Sequence, residues 1–413
     1  MTSNYNRVKL ACYASNVTMS IVGNLSPVLF LTFHSLYGIS YTALGFLVLV
    51  NFVTQLIIDL IFSLFSSCFN IPAAVKSAPV LGAAGLVIYA AGPLLFPGNV
   101  YLGILVGTVI FSAASGFNEV LISPVIAAIP SENPEGEMSK LHSVYAWGVV
   151  FVVALSTLFI LVFGNENWQI LALIFALVPI AACVLFFGAR LPQLETPQKA
   201  TGVIDFLTSK GLWICVFGIF LGGAAECTMA QWCSGYIERA IGIPKVWGDL
   251  CGVALFSVML GLGRSLYAKH GKNISKVLFA SAIGSSVCYL VAAVSDIAVV
   301  GLLACALTGL CTAMMWPGSL IAVSERFPHG GVMMFALMAA GGDLGASVGP
   351  QLVGVITDAV SASPRALEMA IKMSLTPEQL GMKCGILVGF VFSLAAVVTF
   401  LVIMRRQHTF LAK

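Results

Sequence analysis

Long runs of apolar residues, each about the length of a membrane-crossing helix, fill almost the whole chain. A helix that crosses the ~30 Å hydrocarbon core of a bilayer needs about 20 residues. The first run is too long for the apolar core of a signal peptide, so we interpret it as the first span of the mature protein. The runs predict twelve spans, near residues 8–33, 41–67, 78–96, 101–129, 142–163, 169–190, 211–237, 247–268, 275–294, 297–323, 331–357 and 384–404.

The most polar stretch, "RLPQLETPQKATGVIDFLTSK", divides these runs into six and six. The halves also share a weak likeness, because "EVLISPVIAAIP" in the first resembles "PGSLIAVSERFP" in the second. We therefore predict an all-α membrane protein of twelve transmembrane helices in two six-helix pseudo-repeats. In such folds the substrate site lies between the repeats near the bilayer midplane. The predicted parts are an N-terminal bundle, a cytoplasmic linker and a C-terminal bundle, at 1–190, 191–210 and 211–413.

The composition supports a membrane protein and argues against several other classes. Apolar residues make up 59% of the chain, charged residues only 9%, and the mean hydropathy is +1.00, whereas soluble domains carry roughly 25% charged residues. The lipid bilayer is thus an expected partner. A net charge of +3 without a basic patch argues against nucleic acid. The eleven cysteines are scattered without metal-ligand spacing, so we expect no metal.

No motif indicates an enzyme or a cofactor. The chain has no P-loop, no HExxH and no GxSxG, and "GLGRSL" lacks the third glycine of a dinucleotide-binding loop. Transport would therefore be facilitated or ion-coupled rather than driven by ATP. Fifteen of the 20 lysines and arginines fall on the side of the membrane that holds both predicted termini. Because basic residues concentrate in cytoplasmic loops, we expect both termini in the cytoplasm and the protein in the cell membrane.

Three acidic residues fall well inside predicted spans: Glu119, Glu226 and Asp343. No lysine or arginine is expected at the same depth; Arg264, near the cytoplasmic end of span 8, comes closest. A carboxylate without a counter-charge in lipid takes up a proton or holds a cation. We therefore predict ion coupling, to H⁺ or Na⁺, at these acids. The alternative is a permanently protonated acid that hydrogen-bonds a neighbouring helix.

Polar side chains recur every fourth residue along one face of each of the first two spans. Asn16, Ser20 and Asn24 share a face of span 1, and Asn51, Gln55 and Asp59 share a face of span 2. Such amides can join helices to each other, or they can bind a polyhydroxylated ligand that needs both donors and acceptors. The predicted substrate-binding amides are Asn16, Asn24, Asn51, Gln55 and Asn118.

Span 7, "GGAAECTMAQWCSGY", adds Gln231, Trp232 and Tyr236 to the predicted lining, and Trp316 in span 10 adds a second aromatic wall. Glu226 and Trp232 are six residues apart, so both can meet one cavity only if the helix bends at its glycines.

Asp59 and Arg264 occupy matching places in the two halves, near the cytoplasmic ends of spans 2 and 8. We expect a gating role for both, with neutralisation of Glu137 as an alternative for Arg264. The loop at 358–383 contains a short surface helix, which is a solvated connector or a gating lid.

Several stretches resemble the major facilitator superfamily over nearly the whole chain. The loop motif Gly-x-x-x-Asp-Arg-x-Gly-Arg-Arg survives partly in "QLIIDLIFSLFSSCFN", around Asp59, and better in "LGLGRSLYAKHGKN". "FLGGAAECTMAQWCSGYIERAIG", "SPVIAAIP" and "MWPGSLIAVSERFP" are similar to the fucose permease-type sugar symporters. That resemblance implies a functional glutamate at Glu119. The acid that this group uses in span 1 is replaced here by Asn16 and Asn24, which leaves the coupling ion open.

We therefore predict a secondary transporter for a sugar or a similar small polar solute, working as a monomer by alternating access. A proton-coupled drug or metabolite exporter of the same fold is one alternative. A membrane receptor or scaffold that transports nothing is another.

Overall fold

The computed structural model of the protein describes residues 3–65, 69–131, 134–192, 209–327 and 331–410, and it contains no β-strand in these ranges. Most of the predicted linker, at 193–208, lies outside the described residues. We number the main helices as follows: α1 Ser3–Tyr37, α2 Tyr41–Phe65, α3 Ile71–Leu95, α4 Val100–Ala127, α5 Pro134–Phe163, α6 Trp168–Phe186, α7 Lys210–Tyr236, α8 Leu255–His270, α9 Ile274–Val294, α10 Ala298–Thr312, α11 Met315–Arg326, α12 Gly331–Ser361, α13 Pro364–Lys372 and α14 Pro377–Phe410.

The helices confirm the predicted twelve-span membrane fold. Ten helical segments among the described residues are long and apolar enough to cross a membrane. The remaining two spans are α5, which carries a shorter apolar part at Trp147–Phe163, and α12, which is 31 residues long. α10 and α11 together form a single span that is interrupted in its middle. The short helix α13 connects the last two spans, where the sequence predicts a surface helix.

The described residues pack as two compact units. The first contains the chain up to Ile39 and from Val50 through α6, and the second contains Ser40–Leu49 together with the chain from α7 onwards. The first turns of α2 thus belong to the second unit. There the backbone N–H groups of Tyr41 and Thr42 donate to the Asp358 carboxylate, at 3.2 and 2.6 Å. An acid of α12 therefore satisfies the free N–H groups at the start of α2.

Side chains from the loops begin several of the spans. Asn70, Asn99 and Asn273 each accept a hydrogen bond from the backbone N–H three residues later, at 3.1 Å in all three cases. These N-caps satisfy donors that the first helical turn leaves free. Glycines then allow close packing: a Cβ on Gly107 would lie only 2.6 Å from the Cα of Tyr89, so α3 and α4 touch along their backbones.

A cluster of aromatic rings forms part of the first unit's core. The ring of Phe33 lies 4.9 Å from that of Trp168 and 5.9 Å from that of Tyr89. The polar atoms of the cluster are also bonded, because Tyr89 pairs with Ser26 at 2.9 Å and Trp168 donates to Tyr37 at 3.0 Å. This packing fixes α1, α3 and α6 relative to one another.

Glu137 ties the start of α5 to α1. Its carboxylate lies 3.2 Å from Lys9 Nζ and 3.5 Å from Lys140 Nζ, and it accepts from the Tyr13 hydroxyl at 3.1 Å. The alternative in which Arg264 neutralises Glu137 is therefore wrong, because lysines on α1 and α5 occupy that carboxylate. The hydrogen bond from Lys9 lowers the pKa of Glu137 below its usual value of 4.5.

The lowered pKa of Glu137 predicts a pH-dependent contribution to stability. The ion pair stabilises the fold above the ordinary carboxyl pKa, and this stabilisation is lost as the pH falls through the lower pKa of the folded state. Replacing Glu137 by Gln should reduce stability by no more than about 1 kcal/mol at pH 7, and the difference from the wild type should shrink as the pH falls below 4.5. Melting temperatures of both proteins in detergent, measured from pH 3 to 7, test this. A difference that stays constant across the range would contradict it.

Candidate transport site

Glu119 is exposed although it lies deep within α4. It follows Thr108, Ser112 and Ser115 at helical spacing, and these three buried side chains form the polar face of α4. No lysine, arginine or hydrogen-bond donor pairs with Glu119 among the residues that the structure describes. Among the described residues, the carboxyl group thus lies on a polar face without a fixed partner, and its role in ion coupling stays a prediction.

Asp59 on α2 is an acidic neighbour of Glu119. A Cβ on Gly116 would lie 2.8 Å from the Cβ of Ile58, so α4 and α2 cross closely next to both acids. Asp59 directly follows Ile58, and Glu119 lies one helical turn after Gly116, so both carboxyl groups lie beside this crossing. Within the described part of the chain, Asp59 Oδ1 is buried and has no hydrogen-bond partner. Asp59 was predicted to act in gating, apart from the coupling acids, but the structure brings it to Glu119.

The predicted amides of the first unit connect its helices. Asn16 on α1 donates to the Leu141 carbonyl at 2.5 Å, and Asn118 on α4 donates to the Ser15 carbonyl at 3.3 Å. Asn51 on α2 accepts from Ser112 on α4 at 2.6 Å. These contacts match the alternative in which amides join helices.

The other two amides of the stripes bond within their own helices. Asn24 donates to Ser20 O at 2.9 Å and Gln55 donates to Asn51 O at 3.3 Å. A role for any of the five amides in substrate binding stays a prediction.

Glu226 in the second unit has a resident counter-charge, so the expectation that it lacks one is wrong. Arg264 Nη2 lies 3.1 Å from Glu226 Oε1 and 3.4 Å from Oε2. The side chain of Glu226 is 15% exposed and that of Arg264 is 46% exposed. The arginine side chain extends from α8 to α7. The position of Arg264 near the end of its predicted span does not indicate this contact. Glu119 and Glu226 therefore lie in different electrostatic surroundings.

Pro317 explains why Arg264 is held in place. A proline has no N–H, so the Ala313 carbonyl loses the hydrogen bond that residue 317 would donate in a continuous helix. The span is broken at this point, between α10 and α11. Arg264 Nε donates to the Ala313 carbonyl at 3.2 Å and takes the place of the missing donor. One guanidinium thus joins α8, the break in span 10 and Glu226 on α7.

Trp316 lies beside the same break and packs against glycines. A Cβ on Gly223 would lie 3.0 Å from its ring, and a Cβ on Gly342 only 2.5 Å. Gly223 lies one helical turn before Glu226 on α7, so the indole is close to the ion pair. Asp343 is buried and directly follows Gly342 on α12, so it lies close to the same indole ring. The structure therefore gathers Trp316, Asp343, Glu226 and Arg264 in one region of the second unit.

Trp232 and Tyr236 lie in packed positions instead. Both are almost completely buried; the Trp232 indole donates to the Pro350 carbonyl at 2.9 Å and the Tyr236 hydroxyl to the Ala292 carbonyl at 2.6 Å. Helix α7 runs without a break from Lys210 to Tyr236, and its glycines allow close packing against neighbouring helices. An unwound segment that would turn Trp232 and Glu226 toward one cavity is therefore absent from α7. Gln231 is also buried.

A family model described as Major Facilitator Superfamily matches residues 11–350. The chain belongs to the major facilitator superfamily. Members of this superfamily are transporters rather than enzymes, in keeping with the absence of catalytic motifs. No curated protein matches the chain in sequence.

Solved structures of superfamily transporters share this fold. A bacterial homologue of the human lysosomal transporter Spinster, in an inward-facing and occupied conformation, superposes with a TM-score of 0.74 at 12% identity, covering 98% of each chain. A D-xylose–proton symporter gives 0.73 at 14% identity over 97% of each chain. The fucose:proton symporter of E. coli gives 0.57 at 15% identity, covering 94% of this chain and 98% of that chain. At these identities the likeness shows the fold alone.

Two features of this superfamily member have no counterpart in the predictions from sequence. The first is the pairing of Asp59 with Glu119, and the second is the bond from Arg264 to the carbonyl left free by Pro317. The "WP" pair within an apolar run is a sequence signal for the broken span. No comparable sequence signal indicates that Arg264 donates to the free Ala313 carbonyl.

Proposed function

We propose that this protein is a secondary active transporter that moves a sugar or similar polar solute by alternating access, coupled to protons at Glu119 and Asp59. The observation that carries the proposal is an exposed, unpaired Glu119 on a polar helix face beside a second carboxyl group. Two neighbouring carboxylates repel each other when both are charged, and one bound proton removes most of that repulsion. The free energy of the Asp59–Glu119 pair thus depends on whether a cation is bound to it.

A proton fits this pair better than a sodium ion. Hard metal cations need a shell of several oxygen ligands, whereas Asp59 and Glu119 supply only two carboxyl groups. A proton needs only one carboxylate oxygen and a neighbouring acceptor. Asp59 and Glu119 supply both, so H⁺ is the favoured coupling ion.

A sugar is the favoured substrate because the polar side chains within each unit are mainly neutral amides and hydroxyls. These groups offer both donors and acceptors, as hydroxyl groups require. Solved relatives in fold include proteins described as fucose:proton and D-xylose–proton symporters. We also propose a cell-membrane location, cytoplasmic termini and a monomeric state.

Uptake by proteoliposomes tests this function. Purified full-length protein is reconstituted, and labelled D-xylose, L-fucose, D-glucose and D-galactose are offered under an inward proton gradient, an inward sodium gradient or no gradient. We expect accumulation of at least one sugar under the proton gradient only. Absence of sugar flux under every gradient would contradict the proposal and favour the exporter alternative. Accumulation under sodium alone would overturn the choice of ion.

A further inference from the structure

The guanidinium of Arg264 is held on two sides and has unused donors on a third. Nε donates to Ala313 and Nη2 contacts Glu226, whereas Nη1 has no partner within the described residues. Two N–H groups of a positioned arginine are therefore available to a ligand. Because the surrounding bonds already fix the side chain, a ligand that bonds Nη1 does not have to order it.

The exposed part of Arg264 does not belong to the lipid-facing surface of α8. Val258, Leu262 and Leu266 form an exposed apolar row on this helix. Arg264 is two residues from Leu262, which places it about 200° further around the helix. Its contacts reach Glu226 and the backbone beside Trp316. The unused donors thus lie on the polar side of α8, near an indole ring and a carboxylate.

The charge of this region disfavours anionic ligands. Glu226 neutralises Arg264, and the buried carboxyl group of Asp343 lies next to Gly342, against which the Trp316 ring packs. An added carboxylate or phosphate would approach at least one fixed carboxylate without gaining a free cation. An uncharged hydroxyl avoids this repulsion, because it can accept from Nη1 and donate to Glu226.

We propose that Glu226, Arg264 and Trp316 form a subsite for an uncharged polyhydroxylated ring, and that the ion pair excludes sugar acids and sugar phosphates. The indole supplies an apolar surface for the C–H face of the ring, and the ion pair supplies one acceptor and two donors. This inference rests on the proposed transport function and narrows its substrate class to neutral sugars. It assigns Glu226 to ligand selection, whereas the coupling proton is bound at Glu119.

Replacing Glu226 by Gln tests the subsite, because it removes the negative charge and leaves Arg264 as an unneutralised cation. Binding of D-glucose, D-galactose, D-glucuronate and D-galacturonate to the purified full-length protein is measured by calorimetry. We expect the wild type to bind each uronate at least about tenfold more weakly than its neutral sugar. In the variant the uronates should gain about tenfold in affinity, as a charge-assisted hydrogen bond would give.

Two further variants make the result specific. Asp296→Asn removes a remote, exposed acid that pairs with Lys383, and it should leave the ratio of uronate to neutral affinity unchanged. The double variant Glu226→Gln with Arg264→Gln lacks both charges of the ion pair, and its uronate affinity should stay low. Wild-type protein that binds uronates as tightly as neutral sugars, or a double variant that gains uronate affinity, would overturn the subsite.

The outcome also separates this inference from the proposed function. Proton-driven sugar accumulation together with an unchanged uronate ratio in Glu226→Gln would refute the subsite alone. Absence of any sugar binding or flux in the wild type would refute the transport proposal itself.

Discussion

Replacing Glu119 by Gln should abolish accumulation of sugar against its gradient, so that the internal concentration never exceeds the external one. Gln keeps the size and hydrogen-bonding capacity of the side chain but cannot exchange a proton. Asp59 would remain as a single carboxyl group, and its proton binding would no longer depend on a second carboxyl group beside it. Exchange of labelled for unlabelled sugar needs no net proton movement and should continue at a rate within a few-fold of the wild type.

Reconstituted wild-type and Glu119→Gln proteins are compared for both activities under the same proton gradient. Glu166→Gln is a matched control, because it removes an exposed acid in the turn between α5 and α6, and it should accumulate sugar like the wild type. Unchanged accumulation by Glu119→Gln would exclude this residue from coupling. Loss of exchange together with accumulation would indicate a damaged fold or binding site instead.

Replacing Pro317 by Ala should slow transport at least tenfold while leaving stability unchanged or increased. Alanine restores the N–H that bonds the Ala313 carbonyl, so span 10 can become a continuous helix and Arg264 Nε loses its acceptor. Pro317 lies in the first turn of α11, where a proline is tolerated but contributes no hydrogen bond, so replacing it by alanine should not destabilise the fold. A packing defect would lower both the transport rate and the stability. A lower transport rate with unchanged or higher stability therefore indicates that the break itself is needed for transport.

Initial rates of sugar uptake and melting temperatures of the purified protein are the measurements for this variant. Pro179→Ala is the control, since Pro179 also lies in a spanning helix, α6, but in the other unit. It should transport at nearly the wild-type rate. A Pro317→Ala protein that transports normally would show that the broken span is not required.

The fold could be predicted from the sequence because its signal is local. Each span is a run of apolar residues that must be helical in lipid, where every backbone N–H and C=O group needs an internal partner. The position of Glu119 could be predicted for the same reason, since an acid within such a run is conspicuous. The short helix α13 was also correctly expected between the last two spans.

The surroundings of the acids could not be predicted because they depend on contacts between distant parts of the chain. Arg264 contacts Glu226, which lies 38 residues earlier in the chain. The guanidinium is held at this depth by its long side chain and by the free Ala313 carbonyl, neither of which follows from the position of Arg264 in span 8. Asp59 and Glu119 meet because Gly116 lets two helices approach closely. The glycines of α7 could serve either a bend or close packing, and only the packed structure distinguishes these uses.

Substrate-driven proton movement is the most direct test of the claim that the Asp59–Glu119 pair carries the coupling proton. Vesicles containing a trapped pH-sensitive dye receive sugar without any imposed gradient, and the internal pH is followed. We predict acidification with the wild type and none with Glu119→Gln, although both exchange sugar. Equal acidification in the two proteins would contradict the account.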